Sequence, residues 1–100
     1  MEQVKITGVE NGVLKIALSG DIDLGNAEEF YATVMSAYEN TDVEFDCAQL
    51  NFIDSTTLGT FVKILKTVKL NGKKMKLSAL QSKIKKLFLI CSLDSIMEIA

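Results

Sequence analysis

Apolar residues recur every second position in some segments and every third or fourth position in others. The alternation of these two kinds of segment along the chain restricts the fold more than any other feature. Residues 3–18 show partial period-two alternation interrupted by Asn11-Gly12, a pair typical of a hairpin turn, which predicts two antiparallel strands. Further strands are predicted over 43–47, 74–77 and 96–99, and helices are predicted to begin near Asn26, Ser55 and Ser82. The order β-β-α-β-α-β-α-β favours one α/β domain over residues 1–100, with a mixed, mostly parallel sheet.

Capping residues give finer expectations at the helix ends. Asn26 followed three positions later by Glu29 predicts a capping box at the first helix. Ser55 is predicted to be the N-cap of the second helix, and Asn71-Gly72 to end it, because both residues tolerate a left-handed backbone. The segment 50–53 is predicted to be a connection between the third strand and this second helix.

The composition narrows the classes of function. The chain contains no histidine, which removes the commonest general base and the commonest metal ligand. We therefore expect no enzyme activity, no resident metal and no cofactor. The two cysteines, Cys47 and Cys91, are too few for a disulfide scaffold, and we expect both to be reduced and buried as small apolar side chains.

Charge is segregated along the chain. Residues 1–54 hold eleven acids and two lysines, a sum of -9, whereas residues 55–100 hold nine lysines and two acids, a sum of +7. Because there is no arginine and no aromatic stripe among the lysines, we expect these lysines to lie on exposed helix faces and not to form a nucleic-acid site. No apolar run approaches the ~20 residues of a membrane span, and the start lacks a signal peptide, so a cytoplasmic protein is expected.

Two polar loops are the candidate functional segments. Residues 20–26 and 51–57 each follow a predicted strand, and functional groups of such sheets gather beyond the carboxyl ends of the strands. Asp21 and Asp23 also suit an ordinary turn, and Asp54 suits either a turn or a role in holding the loop. These alternatives stay open from the residues alone.

The same loops carry a resemblance to a known family. The segments Gly20-Asp21-Ile22-Asp23 and Ile53-Asp54-Ser55-Thr56-Thr57-Leu58-Gly59 closely resemble the STAS domain family, the anti-sigma factor antagonists. Asn71-Gly72-Lys73 before a strand and the segment 84–88 in the third helix add to the likeness, which spans nearly the whole chain.

The resemblance implies a protein-binding switch. It places Ser55 at the position that an anti-sigma factor kinase phosphorylates, with Thr56 as a weaker acceptor. It implies that the unphosphorylated form captures this kinase and releases a sigma factor, and that a metal-dependent Ser/Thr phosphatase restores this form; the nucleotide and metal belong to those partners. The partner-binding residues implied are Asp21, Asp23, Leu24, Gly25, Asn26, Asp54, Ser55, Thr56 and Thr57.

The motif also departs from the family pattern. Thr56 and Thr57 stand where the family usually has Ser and Gly, so a β-branched side chain is expected in a loop that is normally slimmer. Related domains serve in transporters and in stress-signalling assemblies. A STAS subunit that is never phosphorylated is therefore the alternative function.

Overall fold

The computed structural model describes residues 1–100 and contains five strands and three α-helices in the predicted order. The strands are β1 (Val4–Glu10), β2 (Val13–Ile22), β3 (Asp42–Ile53), β4 (Met75–Ser78) and β5 (Glu98–Ile99). The helices are α1 (Ala27–Ala37), α2 (Ser55–Leu70) and α3 (Ser82–Ile90), and a 3₁₀ turn covers Leu93–Ser95. The predicted α/β class is confirmed.

The five strands form one sheet in the order β1-β2-β3-β4-β5. β1 pairs antiparallel with β2, and the other neighbours are parallel. Asn11 and Gly12 both have positive φ, 53° and 78°. A two-residue hairpin turn needs positive φ at both positions in order to match the twist of the strands that it joins. The predicted hairpin is confirmed, and Gly72, with φ of 71°, follows the end of α2 as predicted.

The three helices pack on the same face of the sheet. Four phenylalanines, one from each helix and one from β3, contact each other edge to face there with ring centroids 5.2–6.1 Å apart. They are Phe30, Phe45, Phe61 and Phe88, all fully buried. The other face carries ion pairs between neighbouring strands, Lys15–Glu44 at 3.2 Å and Lys76–Glu98 at 3.5 Å.

The prediction that 50–53 is a connection is wrong, because β3 continues to Ile53. In this half of β3 the buried residues are Cys47, Leu50 and Ile53, three positions apart instead of two. The register between β2 and β3 shifts twice here, and each shift places an extra residue on β3. These irregularities remove the period-two pattern from which a strand is recognised.

Smaller boundary errors have local causes. β2 continues to Ile22, although the alternation predicts a strand only as far as residue 18, and β4 lies one residue later than predicted. The predicted last strand shortens to Glu98–Ile99, because Leu93–Ser95 forms a 3₁₀ turn that begins after Ser92 in a left-handed conformation. Cys91 is exposed, so the expectation that both thiols are buried holds only for Cys47.

Candidate functional site

The loops that follow β2 and β3 are joined by one carboxylate. Asp54 Oδ2 accepts a hydrogen bond from the Leu24 N–H (2.8 Å), and Asp54 Oδ1 accepts one from the Thr57 N–H (3.0 Å). Since Leu24 lies in the loop before α1 and Thr57 in the first turn of α2, the two predicted segments form one site. This geometry favours the reading in which Asp54 holds the loop.

Asp54 is also the N-cap of α2, so the prediction that Ser55 is the N-cap is wrong. The Thr57 N–H lowers the pKa of the Asp54 carboxyl most; partial burial opposes this shift, and the Leu24 N–H adds to it. The carboxylate is therefore stabilised in its ionised form, which also suits the positive end of the helix.

The loop before α1 is ordered by its own side chains. Asp23 Oδ1 accepts from the Gly25 N–H (2.9 Å), the geometry of an Asx turn, while Asn26 Oδ1 accepts from the Asp23 N–H (2.8 Å). The Asn26 amide also donates to the Asp21 carbonyl at 3.1 Å. Asn26 is at the N-cap position of α1 but its side chain makes no capping bond, so the predicted capping box with Glu29 does not form.

Thr57 lies in the interior, behind the two loops. Its side chain is fully buried, and its Oγ1 donates to the Ile22 carbonyl at 2.5 Å, which joins α2 to the end of β2. The same oxygen lies 3.1 Å from Asp54 Oδ1. The β-branched residue therefore fills the interior behind the loop and does not widen the exposed part of it.

Ser55 is the first residue of α2, and its side chain is exposed. Its hydroxyl makes no hydrogen bond within the chain, in contrast to that of Thr57. Thr56 and Gly25 are exposed as well, and Leu24 is 75% exposed beside them in the loop that Asp54 holds. We call the exposed residues Asp21, Leu24, Gly25, Ser55 and Thr56 the loop surface.

Sequence reasoning missed one exposed apolar residue near the loop surface. Phe52 is 49% exposed and pairs in register with Asp21 at the ends of β3 and β2. An aromatic side chain beside a polar loop is a signal of a binding surface. The sequence pattern predicts a connection over 50–53, and an exposed aromatic side chain is not unusual in a connection.

A family model described as the STAS domain matches residues 5–100 of the chain. The chain belongs to the STAS domain family. It is 30% identical to the anti-sigma-B factor antagonist of Bacillus subtilis (strain 168) over 88 residues, which cover 87% of this chain and 81% of the relative. The sequence resemblance to the STAS family is thereby confirmed.

Solved structures share this STAS fold. The anti-sigma factor antagonist SpoIIAA in its unphosphorylated form gives a TM-score of 0.82 at 19% identity over 97% of this chain and 87% of that one. The Bacillus cell fate determinant SpoIIAA in the phosphorylated form gives 0.73 at 20% identity over 97% and 90%. A sulfate transporter family protein from Wolinella succinogenes gives 0.73 at 17% identity, over 87% of this chain and 72% of that one.

The STAS fold is thus found in antagonists and in transporters alike. No helix of this chain has the length and apolar character needed to cross a membrane.

Proposed function

We propose that this STAS domain is an anti-sigma factor antagonist regulated by phosphorylation of Ser55. In this proposal the unphosphorylated form binds an anti-sigma factor that is also a Ser/Thr kinase, and binding releases a sigma factor in the cytoplasm. Phosphorylation of Ser55 ends the capture, and a metal-dependent Ser/Thr phosphatase reverses it. The similarity to the Bacillus subtilis antagonist supports this class of partner.

The observation that carries the proposal is the exposed, unbonded hydroxyl of Ser55. A kinase must bring the acceptor hydroxyl to the γ-phosphate, and the Ser55 hydroxyl has no bond within the chain to break first. Thr56 is exposed too, but its β-branched side chain has less rotational freedom, so it is the weaker acceptor.

A phosphate on Ser55 would act on the partner and not on the fold. It adds about -1.5 to -2 charge at a helix N-terminus, which favours anions. On the loop surface, the same charge would stand next to the Asp54 carboxylate and near the exposed Leu24. A partner surface that fits the neutral hydroxyl would then have to desolvate an anion, which weakens binding.

The partner-binding residues that we propose belong to both loops. Asp21, Leu24, Gly25, Ser55 and Thr56 contribute directly because they are exposed. The remaining predicted residues act by holding the loop surface in place: Asp23, Asn26, Asp54 and Thr57.

The acceptor is tested by incubating the protein with the cognate kinase and ATP and measuring phosphate incorporation by mass spectrometry. Ser55→Ala is expected to abolish most incorporation, whereas Ser82→Ala, which alters the first residue of a neighbouring helix, is expected to leave it unchanged. Equal incorporation in wild type and Ser55→Ala would refute the assignment.

The switch is tested by titration calorimetry of the kinase with Ser55→Asp. Asp suits the first turn of a helix, so the fold should persist while affinity falls by about a hundredfold, roughly 2.7 kcal/mol. Ser82→Asp adds the same charge at the same helical position of α3 and should retain wild-type affinity. Unchanged affinity of Ser55→Asp would mean that charge at this site is not the switch.

The alternative is a STAS subunit of a transport or stress-signalling assembly that is never phosphorylated. The fold it shares with a sulfate transporter family protein favours this candidate, although that likeness concerns the fold alone. Co-purification separates the two: a small ATP-binding kinase supports the antagonist, and a membrane transporter supports the subunit.

A further inference from the structure

Helices α2 and α3 carry lysines but no acids. Residues 55–100 contain nine lysines, and all of them precede Asp94, which is the first acid after Asp54. Six of these nine lysines belong to α2 and α3. The chain as a whole has a net charge of -2, so the positive charge is concentrated on one part of a weakly acidic protein. Such a concentration attracts anionic partners locally.

The outer sides of the two helices are neighbours. Phe61 of α2 and Phe88 of α3 contact each other in the core, with ring centroids 5.5 Å apart. Each residue of an α-helix is rotated by about 100° from the one before it, so a residue two positions later points in nearly the opposite direction. Lys63 and Ile90 therefore project outward from neighbouring turns of α2 and α3, and both are exposed.

We call six exposed residues on these outer sides the basic face: Lys63, Lys66, Lys83, Lys86, Leu89 and Ile90. On α3 the lysines lie in the first half of the helix and the apolar residues in its last turn. Ile90 is 76% exposed and Leu89 is 45% exposed. The basic face thus combines unburied apolar side chains with ammonium groups.

The chain leaves the charge of the basic face uncompensated. All ion pairs of the chain involve other groups. Lys63 Nζ lies 4.2 Å from the centroid of the Tyr31 ring, a cation–π contact that retains its full charge. The acids of the neighbouring helix, Glu28 and Glu29, lie in the first turn of α1, and Asp94 lies in the 3₁₀ turn four residues after the end of α3. The four lysines are therefore available to an external anion.

The residue types of the basic face favour a lipid surface over an acidic protein. The chain has no arginine, whose planar guanidinium would suit bidentate pairing with particular carboxylates. Lysine has a long apolar stem with a point charge at its end, which can follow a layer of mobile head groups. Exposed Leu and Ile side chains beside such lysines are typical of helices that lie at the boundary between head groups and acyl chains.

We propose that the basic face binds the surface of an anionic lipid bilayer. The lysines contact the phosphate and carboxylate head groups, while Leu89 and Ile90 enter the boundary of the acyl chains. The contact is peripheral and uses none of the residues of the loop surface. It goes beyond the proposed function and does not depend on phosphorylation of Ser55.

The test is sedimentation of the full chain with vesicles made of equal parts of phosphatidylserine and phosphatidylcholine, and with vesicles of phosphatidylcholine alone. Saturable binding to the mixed vesicles is expected, with little binding to the neutral ones, because the lysines require negative lipid charge. Added salt is expected to weaken the binding, since these charges are exposed and are screened.

Matched variants test the two kinds of contact separately. Ile90→Ser should weaken binding to the mixed vesicles by roughly tenfold, whereas Val9→Ser, which alters a 54% exposed residue of β1, should not change it. The double variant Lys83→Gln, Lys86→Gln should weaken binding by about fivefold for each lysine removed, and Lys5→Gln, on exposed β1, should not. The lysine variant leaves the apolar residues in place, so it tests the basic face even where Ile90→Ser fails to fold.

A fluorescent reporter locates the contact. The chain contains no tryptophan, so Ile90→Trp introduces a single emitter on the basic face and Val9→Trp introduces one on β1. Mixed vesicles are expected to shift the emission of Ile90→Trp to shorter wavelength, because the ring enters a less polar environment, and to leave that of Val9→Trp unchanged.

Several results would overturn the proposal. They are no binding to the mixed vesicles, equal binding to neutral vesicles, wild-type affinity of the double lysine variant, or an emission shift for Val9→Trp alone. Soluble polyglutamate and duplex DNA are the competitors. If either binds the protein more tightly than the mixed vesicles do and displaces them, the basic face serves a macromolecule in solution, which also contradicts the proposal.

Discussion

Thr57→Val examines the contact that joins the two halves of the site. The substitution keeps the β-branched shape and nearly the same helix propensity, but removes the hydroxyl that donates to the Ile22 carbonyl. Thr57 is fully buried, so water cannot replace the lost donor. Leaving a buried carbonyl without its donor costs about 1–3 kcal/mol.

A loss of about 2 kcal/mol in the free energy of unfolding corresponds to a fall in Tm of roughly 8–16 °C for a domain of this size. Urea unfolding and thermal melts measure this, and an unchanged m-value would show that the fold is retained. Thr56→Val is the matched control, because Thr56 is exposed and its hydroxyl makes no bond within the chain; it should lie within about 0.5 kcal/mol of wild type. If the two variants are equally stable, the Thr57 hydroxyl does not join α2 to β2 in the way described.

Ser55→Ala should change the free energy of unfolding by less than about 0.5 kcal/mol in urea titrations, because Asp54 is the cap; a loss near 1 kcal/mol would return that role to Ser55. Because the pKa of Asp54 is lowered in the folded protein, its ionised form stabilises the fold at pH values above the unfolded-state pKa of about 3.9. This contribution is lost as the pH falls through the lower folded-state pKa. The difference in the free energy of unfolding between wild type and Asp54→Asn should therefore close in acid and not in base. Burial, and secondarily the charge of Asp46, raises the pKa of Cys47 to about 12, so a thiol reagent at pH 8 should label only Cys91 in the folded protein and both cysteines in urea.

Local signals were sufficient for most of the fold. The turn at Asn11-Gly12 and the end of α2 at Asn71-Gly72 each depend on backbone conformations that these residue types favour, so the sequence predicts them directly. The second half of β3 could not be predicted in this way. Its buried residues follow the register shifts against β2, and such shifts arise from pairing with a strand more than twenty residues away.

The cap of α2 illustrates the same limit within the site. Asp and Ser are both preferred N-caps and stand side by side at positions 54 and 55, so propensity alone does not choose between them. The choice is made by the Leu24 N–H, which lies thirty residues earlier in the chain and binds the Asp54 carboxylate. The inward position of Thr57 depends likewise on Ile22, which the sequence pattern does not connect to it.

Asp54 and Ser55 have different roles at the start of α2, and this difference bears on the phosphorylation that we propose for Ser55. If the Ser55 hydroxyl capped α2, a phosphate on it would exchange a structural hydrogen bond for a charge, and modification would change stability and binding together. Asp54 takes the structural bonds to Leu24 and Thr57, which leaves the Ser55 hydroxyl free. Modification can therefore alter the exposed charge beside Leu24 while the hydrogen bonds that position the loop are kept. Under the proposed function, phosphorylation of Ser55 would change the affinity for the partner without requiring a change in the fold of this domain.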